Sequence, residues 1–201
     1  MATRLPRDER RAQLVRCAAA VFVRGGFDAT SMDDVAREAG VTRLIVYRIF
    51  PSKEDLYRAV LDAVLIDTAE AVDARRIERD PDDPHHTIVG VMLGVARRHP
   101  DGFRLLWRHA AHEPGFRDTA VVVKAASTEF ALDLLGTSID DPTMRLWAAE
   151  SLVATLHESI CLWLDDGDPA RDDEVLAMLL DSLRGTVERW VARARFSTPR
   201  R

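Results

Sequence analysis

Cysteine is scarce in this sequence of 201 residues, which contains only Cys17 and Cys161. The two lie far apart in apolar, helix-like surroundings and form no C-x-x-C pair, so we expect neither a disulfide framework nor a cysteine metal site. Long apolar runs are also missing, since none approaches the roughly 20 residues that a membrane helix needs. The polar N-terminus has no apolar segment typical of a secretory signal. These absences predict a cytoplasmic protein that has no membrane partner.

Strand patterns are missing as well, because no segment alternates polar and apolar residues between turn residues. Apolar residues instead recur at helical spacing between glycine and proline breaks. We predict an all-α fold of about nine helices, in which a three-helix N-terminal region is joined by a long helix to a C-terminal bundle. The predicted ranges, with caps included, are about 7–23, 31–39, 42–50, 52–76, 85–98, 101–112, 116–136, 142–165 and 171–195.

Charge is unevenly distributed along the chain. Residues 1–60 contain 11 basic and 8 acidic side chains, a formal charge of +3, whereas the remainder carries a charge of −8. A basic head on an acidic body is expected when only the head meets phosphate groups. Chance fluctuation in a charge-rich protein explains the same numbers equally well, so charge alone does not decide between a head that binds phosphate groups and a chance distribution.

Residues 32–50 meet the requirements of a helix-turn-helix. Two short helical patterns flank a glycine, which tolerates the positive φ of a tight turn. The first pattern has a small residue where the helices cross, an apolar residue follows the turn, and the second pattern has an inward apolar stripe. In chain order the residues that fill these positions are Val35, Ala36, Ala39, Gly40, Val41, Val46, Ile49 and Phe50. Two ordinary amphipathic helices would rarely fill every position, so we predict a helix-turn-helix.

The same region resembles the tetracycline-repressor (TetR) family of regulators. The resemblance rests on GGFDATS at 25–31, VA at 35–36, AGVT at 39–42, YRIF at 47–50 and SKEDL at 52–56. It covers about residues 10–60, and the remainder matches only in length and helical plan. It implies an all-helical homodimer that represses transcription until a small molecule binds the larger domain. We accordingly expect a DNA-binding domain at 1–52 and a ligand-binding and dimerisation domain at 53–201.

The second helix of the motif is expected to read DNA. Residues near the N-terminus of a recognition helix reach base edges in the major groove, which points to Thr42, Arg43 and Leu44. Arginine can form a bidentate contact with guanine, and leucine can meet a thymine methyl, although Leu44 is equally well an ordinary surface leucine. Leu44, Ile45 and Ile49 depart from the polar or small residues common in the family, which leaves the operator sequence open. The expected phosphate contacts are Ser31, Tyr47, Arg48 and Lys53.

The C-terminal body holds all four tryptophans, and the interiors of helical bundles offer ligand sites lined by apolar and aromatic residues. Because the body is acidic, a neutral or cationic apolar effector fits better than an anionic one. The candidate ligand-binding residues are Met92, Phe103, Trp107, Phe116, Trp147 and His157. Core packing is the alternative for each aromatic residue. His109 and His112 have a spacing compatible with a metal site, but nothing else in the sequence converges on them, and we expect no metal.

The last two predicted helices are apolar around much of their circumference, which indicates burial on more than one side. The family resemblance implies that they form a four-helix interface between two copies of the chain. The predicted interface residues are Leu156, Ile160, Trp163, Leu179, Leu183 and Trp190.

These patterns predict a DNA-binding transcriptional regulator, most simply a repressor that a small apolar or aromatic ligand releases from a palindromic operator. A dimeric regulator that acts without a ligand is the first alternative. An enzyme is the second, but the sequence lacks the glycine-rich phosphate loop, the G-x-S-x-G and H-E-x-x-H motifs and the dinucleotide-binding glycine run. We therefore expect no catalytic residues and no cofactor.

Overall fold

The computed structural model describes residues 5–77 and 84–197, with side chains described for residues 5–74 and 88–193. This part of the chain contains nine α-helices and no strand, which confirms the predicted all-α class. No described helix is both long and apolar enough to cross a membrane. The helices are α1 (Arg7–Ala29), α2 (Met32–Glu38), α3 (Arg43–Ile49), α4 (Lys53–Ile77), α5 (Pro84–Arg98), α6 (Pro100–Arg104), α7 (Arg117–Leu135), α8 (Pro142–Asp166) and α9 (Asp172–Ser197).

Two helices depart from the predicted ranges. Helix α1 extends past residue 23, and its kink lies at Gly26, whose φ of 75° and ψ of 169° suit glycine alone. The single helix predicted for 101–112 is instead the short α6, a π-helical turn at Leu105–His109 and a 3-10 turn at Ala110–His112. In the wider π turn the N–H of Ala110 donates to the carbonyl of Leu105. These two buried residues therefore lie nearer to the same face of the helix than they would in an α-helix.

The chain packs into two compact units. The first contains Met1–Ala71 and Val95–Asp118, and the second contains Val72–Gly94 and Thr119–Arg201. These units describe packing, whereas the division at residue 52 separates two expected functions and stays a prediction.

An aromatic cluster holds the first unit together. The ring of Tyr57 on α4 has its centroid 5.0 Å from that of Phe22, 5.3 Å from that of Phe27 and 4.2 Å from that of Phe116. Phe22 and Tyr57 are buried, and the Tyr57 hydroxyl has no hydrogen-bond partner among the residues that the structure describes. Helix α1 thereby joins α4 to the segment after the 3-10 turn, and it also packs on α6.

The second unit has its own apolar core, to which α8 contributes several of its eight buried residues. Its N-terminus is capped by Asp141, whose carboxylate accepts from the N–H groups of Thr143 at 2.8 Å and Met144 at 3.0 Å. At its other end, the indole N–H of Trp163 donates to Asp172 at 2.6 Å, at the start of α9. The core residues are Ala131, Leu135, Ile139, Ala148, Ala149 and Val153, against which Leu132, Leu152, Val187 and Trp190 pack.

Candidate nucleic-acid interface

Helix α2 begins with a capping box. The Ser31 hydroxyl accepts from the N–H of Asp34 at 3.2 Å, and the Asp34 carboxylate accepts from the N–H of Ser31 at 2.9 Å. Hydrogen bonds from the Ser31 side chain and backbone, and then from Arg37, lower the pKa of Asp34 to about 2. The box therefore keeps an ionised carboxylate at the positive end of the helix dipole at neutral pH.

The turn after α2 has the geometry of a Schellman motif. The N–H of Gly40 donates to the carbonyl of Arg37 at 3.2 Å, and the N–H of Val41 donates to that of Ala36 at 2.9 Å. Gly40 has a φ of 64°, as predicted for the tight turn of a helix-turn-helix. The side chains of Val35, Ala36 and Ala39, which were expected to face the second helix, are buried.

Helix α3 has one buried side and one exposed side. Val46 and Phe50 are buried beneath it, and Ile49 is half-buried, so the inward stripe lies where the sequence predicted it. Leu44 is the most exposed large apolar residue on the helix, at 77%. The exposed set consists of Thr42, Arg43, Leu44, Tyr47 and Arg48, which are the residues assigned to DNA on this helix.

The Arg43 guanidinium is held at the exposed face by two side chains. Its Nη1 lies 2.8 Å from Oδ2 of Asp33 on α2, and its Nη2 donates to the hydroxyl of Tyr47 at 3.3 Å. The guanidinium carbon also lies 5.1 Å from the centroid of the Tyr47 ring, within cation–π range. The hydrogen bond to Tyr47, and then the charge of Asp33, raise the pKa of Arg43 above its ordinary value. Thr42, at the N-cap of α3, has no side-chain capping bond.

Lys53, at the start of α4, is bound to the end of α1. Its ammonium donates to the carbonyl oxygens of Phe27 at 2.7 Å, Thr30 at 3.0 Å and Asp28 at 3.3 Å, and lies 4.3 Å from the centroid of the Phe27 ring. Three carbonyls match the three N–H donors of an ammonium group. This structural role could not be predicted from the sequence, because the partners lie 23–26 residues away in the chain.

Comparison with known proteins identifies the family. A family model described as bacterial regulatory proteins of the tetR family matches residues 14–60, which include all of α2 and α3 and parts of α1 and α4. A curated transcriptional activator, FasR of Mycolicibacterium smegmatis, is 32% identical over 177 residues, which cover 86% of this chain and 80% of that relative. The chain belongs to the TetR family. It is a DNA-binding transcriptional regulator with a helix-turn-helix.

Further similarities extend over most of this TetR-family chain. A transcriptional repressor from Streptomyces coelicolor is 31% identical over 107 residues, 53% of this chain and 52% of the relative. A TetR-like regulator from Rhodococcus sp. RHA1 has the same fold, with a TM-score of 0.74, 24% identity and coverage of 94% of this chain and 99% of its own. AibR, solved with isovaleryl coenzyme A and operator DNA, shares the fold with a TM-score of 0.65, 17% identity and coverage of 87% and 97%.

The expected ligand-binding residues of the TetR-family body are divided between the two compact units. Phe103, Trp107 and Phe116 belong to the first unit, and Met92, Trp147 and His157 belong to the second. Phe103 and Trp107 contact each other, with ring centroids 6.1 Å apart, whereas Phe116 packs in the aromatic cluster around Tyr57. Met92 is buried, and Trp147 is half exposed beside Trp190 at 5.2 Å.

His157 is the buried polar candidate of the second unit. Its Nδ1 lies 2.7 Å from the carbonyl oxygen of Val153, and burial lowers its pKa to about 4. The ring is therefore neutral at pH 7. No group of three His, Cys, Asp or Glu side chains placed to hold a metal occurs among the described residues, which include His109 and His112.

The predicted dimer residues fall into two sets. Leu156, Ile160 and Leu179 are buried within the protomer itself, whereas Trp163, Leu183 and Trp190 are half-buried. The large apolar side chains that α8 and α9 leave exposed to solvent include Leu162, at 57%, and Met178, at 71%. Helical periodicity found these helices, but it did not distinguish the side chains that face the core of the protomer from those that face outward.

Proposed function

We propose that α3 is the recognition helix and that Thr42, Arg43 and Leu44 reach base edges of an operator. The observation that carries this proposal is the exposed face of α3, which consists of the residues with suitable chemistry above a buried apolar stripe. Arg43 supplies donors for guanine, and Leu44 supplies an apolar contact for a thymine methyl. The first helix of such a motif crosses the DNA backbone while the second enters the major groove.

Tyr47, Arg48, Ser31 and Lys53 are the proposed phosphate contacts. Tyr47 and Arg48 are exposed on the same side of α3 as Arg43. Ser31 and Lys53 lie at helix N-termini, where backbone N–H groups favour anions. Their side chains are already engaged, Ser31 in the capping box and Lys53 with three carbonyls, so either must exchange or share these bonds to meet phosphate.

We propose a homodimer formed through α8 and α9, with the functional division near residue 52. The exposed side chains of Leu162 and Met178, together with the half-buried Trp163 and Leu183 on the same helices, supply apolar surface for a second copy. Two-fold symmetry would place the recognition helices about 34–36 Å apart, which requires a roughly palindromic operator. A regulator of this kind acts where the chromosomal DNA is, which is the cytoplasm of a bacterium.

We further propose that a small neutral or cationic apolar molecule binds the body and releases the operator. The structure of AibR in complex with isovaleryl coenzyme A and operator DNA supports a ligand site in a protein of this fold. The effector must have different affinities for the DNA-bound and free states, because only differential binding shifts the equilibrium. Relatives include both an activator and a repressor, and we propose repression. The candidate binding residues remain Met92, Phe103, Trp107, Phe116, Trp147 and His157.

The DNA assignment is tested by selecting duplexes from a random library with the wild-type protein and measuring affinity for the enriched duplex and a scrambled one. Arg43→Ala should weaken binding to the enriched duplex more than to the scrambled duplex. Arg16→Ala is the matched control, because it removes an exposed arginine of α1 that lies off the α3 face. If the library yields no enriched sequence, or if the two variants behave alike, α3 does not read bases as proposed.

The effector proposal is tested by tryptophan fluorescence, because all four tryptophans lie outside residues 1–60. Hydrophobic cations, neutral aromatics and fatty acyl compounds are titrated, and release of labelled operator is measured in the same samples. A compound that changes fluorescence and releases DNA in parallel supports ligand-controlled repression. Fluorescence changes without DNA release would instead favour a regulator that acts without a ligand.

A further inference from the structure

The ion pair between Asp33 and Arg43 joins the two helices of the motif at the face proposed to meet DNA. The carboxylate lies in the first turn of α2, and the guanidinium lies in the first turn of α3, with 2.8 Å between Oδ2 and Nη1. Both side chains are about half exposed, at 50% and 59%. An acidic residue suits the first turn of a helix, but that position does not require a pair with Arg43, and an exposed ion pair contributes little to stability.

The geometry leaves Arg43 able to read a base while it is held. A guanidinium has five N–H donors, and Asp33 and Tyr47 each accept one. Three donors remain, and the major-groove edge of guanine offers two acceptors, O6 and N7. The carboxylate, the hydroxyl and the Tyr47 ring face together restrict the orientation of a long side chain that would otherwise lose rotamer freedom on binding.

The charge of Asp33 also affects the contacts that Arg43 makes with DNA phosphate groups. An unpaired Arg43 would be attracted to any phosphate, which strengthens binding to every sequence equally. With Asp33 beside it, the pair is formally neutral and gains little from phosphate, whereas the hydrogen bonds to guanine remain available. A held and neutralised arginine therefore favours base contacts over backbone contacts.

We propose that Asp33 is a specificity-determining residue, which holds Arg43 for base contact and suppresses its contacts with phosphate. This inference rests on the proposed role of Arg43 as a base-reading residue. Asp33 itself touches no base in this arrangement and acts through Arg43, so it is a positioning residue. The sequence indicates this role of Asp33 only weakly, because an acidic residue in the first turn of a helix is common and Arg43 lies ten residues later.

The test measures affinity for the enriched duplex and for a scrambled duplex over a range of salt concentrations, using the full-length protein. Asp33→Asn should lower the ratio of the two affinities by about fivefold to tenfold, which is part of the discrimination that one bidentate arginine–guanine contact provides. On the scrambled duplex it should raise affinity and steepen the salt dependence by about one phosphate contact per protomer. Selection from a random library should show weaker guanine preference at one symmetric pair of positions.

Glu54→Gln is the matched control, because it removes one exposed carboxylate from the first turn of another helix, α4. It should leave the affinity ratio unchanged. If Asp33→Asn also leaves the ratio unchanged while Arg43→Ala lowers it, Arg43 reads bases without Asp33, and this inference alone fails. If Arg43→Ala leaves the ratio unchanged, the proposed base contact and this inference both fail.

The double variant shows whether Asp33 acts through Arg43. In an Arg43→Ala background, Asp33→Asn should change the affinity ratio no further. A further fall of the same size as in the wild type would show that Asp33 acts through another group, which overturns the inference. Tyr47→Phe keeps the ring face and removes the hydroxyl, and should give a smaller fall in the ratio than Asp33→Asn.

Discussion

Helices α2 and α3 differ from α8 and α9 in how they use apolar side chains. The first two are seven residues long, bury Val35 and Val46 completely, and expose one large aliphatic residue, Leu44. Helix α8 is 25 residues long and buries eight residues, yet it also leaves Leu162 exposed. Helix α9 likewise exposes Met178.

This difference explains why the sequence predicted the exposed side of α3 better than the exposed sides of α8 and α9. A short helix with one apolar stripe has one possible inward side, so its exposed residues follow by exclusion. A long helix that is apolar around much of its circumference has two possible inward sides. The core of the protomer takes one, and only packing shows which side is left exposed.

The largest expected effect tests which side of α8 faces the core. Leu156 is 8% exposed, so Leu156→Asp places a carboxylate in the core and should cost more than about 4 kcal/mol, enough to unfold the protomer. Leu162→Asp changes an exposed position and should give a folded monomer with weak operator binding. Circular dichroism and sedimentation velocity distinguish the two outcomes. A folded Leu156→Asp monomer would mean that Leu156 faces the partner, as the sequence suggested.

A second effect, confined to the body, depends on pH. The pKa of His157 lies at about 4, below its ordinary value of 6.5, so the unfolded chain binds more protons between these values. Its contribution is fully present above pH 6.5 and is lost as the pH falls towards 4. Between pH 7.5 and 5 the loss should be about 2 kcal/mol.

Urea unfolding at both pH values measures the loss for the wild type. His157→Gln should remove most of this pH dependence, because glutamine does not titrate. Gln in place of the exposed His112 should leave it unchanged. An equal pH dependence in wild type and His157→Gln would show that another group carries it.

A third effect tests whether the head depends on its caps for function. Ser31→Ala removes the capping box of α2 and should cost about 1 kcal/mol of stability. It should also weaken operator binding, because α2 carries Asp33 and because Ser31 is itself a proposed phosphate contact. Asp141→Ala removes the corresponding cap of α8 and should lower stability with little change in operator affinity per dimer. Thermal melts and DNA titrations are compared, and equal losses of DNA affinity in both variants would contradict this separation.

The smallest expected effect has the opposite sign. The Tyr57 hydroxyl is buried with no hydrogen-bond partner in the described part of the chain, and burial raises its pKa. Tyr57→Phe removes that unpaired group while keeping the ring contacts, so stability should rise by up to about 1 kcal/mol. Thermal unfolding measures the change. A clear loss of stability would indicate that the hydroxyl has a partner in solution, such as a bound water.

Much of the head could be predicted from the sequence because its rules are local. The capping serine, the turn glycine and the apolar spacing fixed α2, Gly40 and α3, and the exposed set on α3 followed from that spacing. The pairing of Asp33 with Arg43 and the three-carbonyl site of Lys53 could not be predicted. They join residues that are distant in the chain and depend on side-chain directions that the spacing of polar residues does not encode.

By itself the sequence determined the all-α class, the helix-turn-helix and the family, because helical periodicity, breaks and caps are properties of neighbouring residues. The tertiary structure decided which side of α8 is buried, that Phe116 packs against Tyr57, and that a π-helical turn interrupts the segment after α6. Such outcomes depend on which side chains fill the same core volume. Because the interior of a unit is densely packed, space taken by one buried side chain is not available to another.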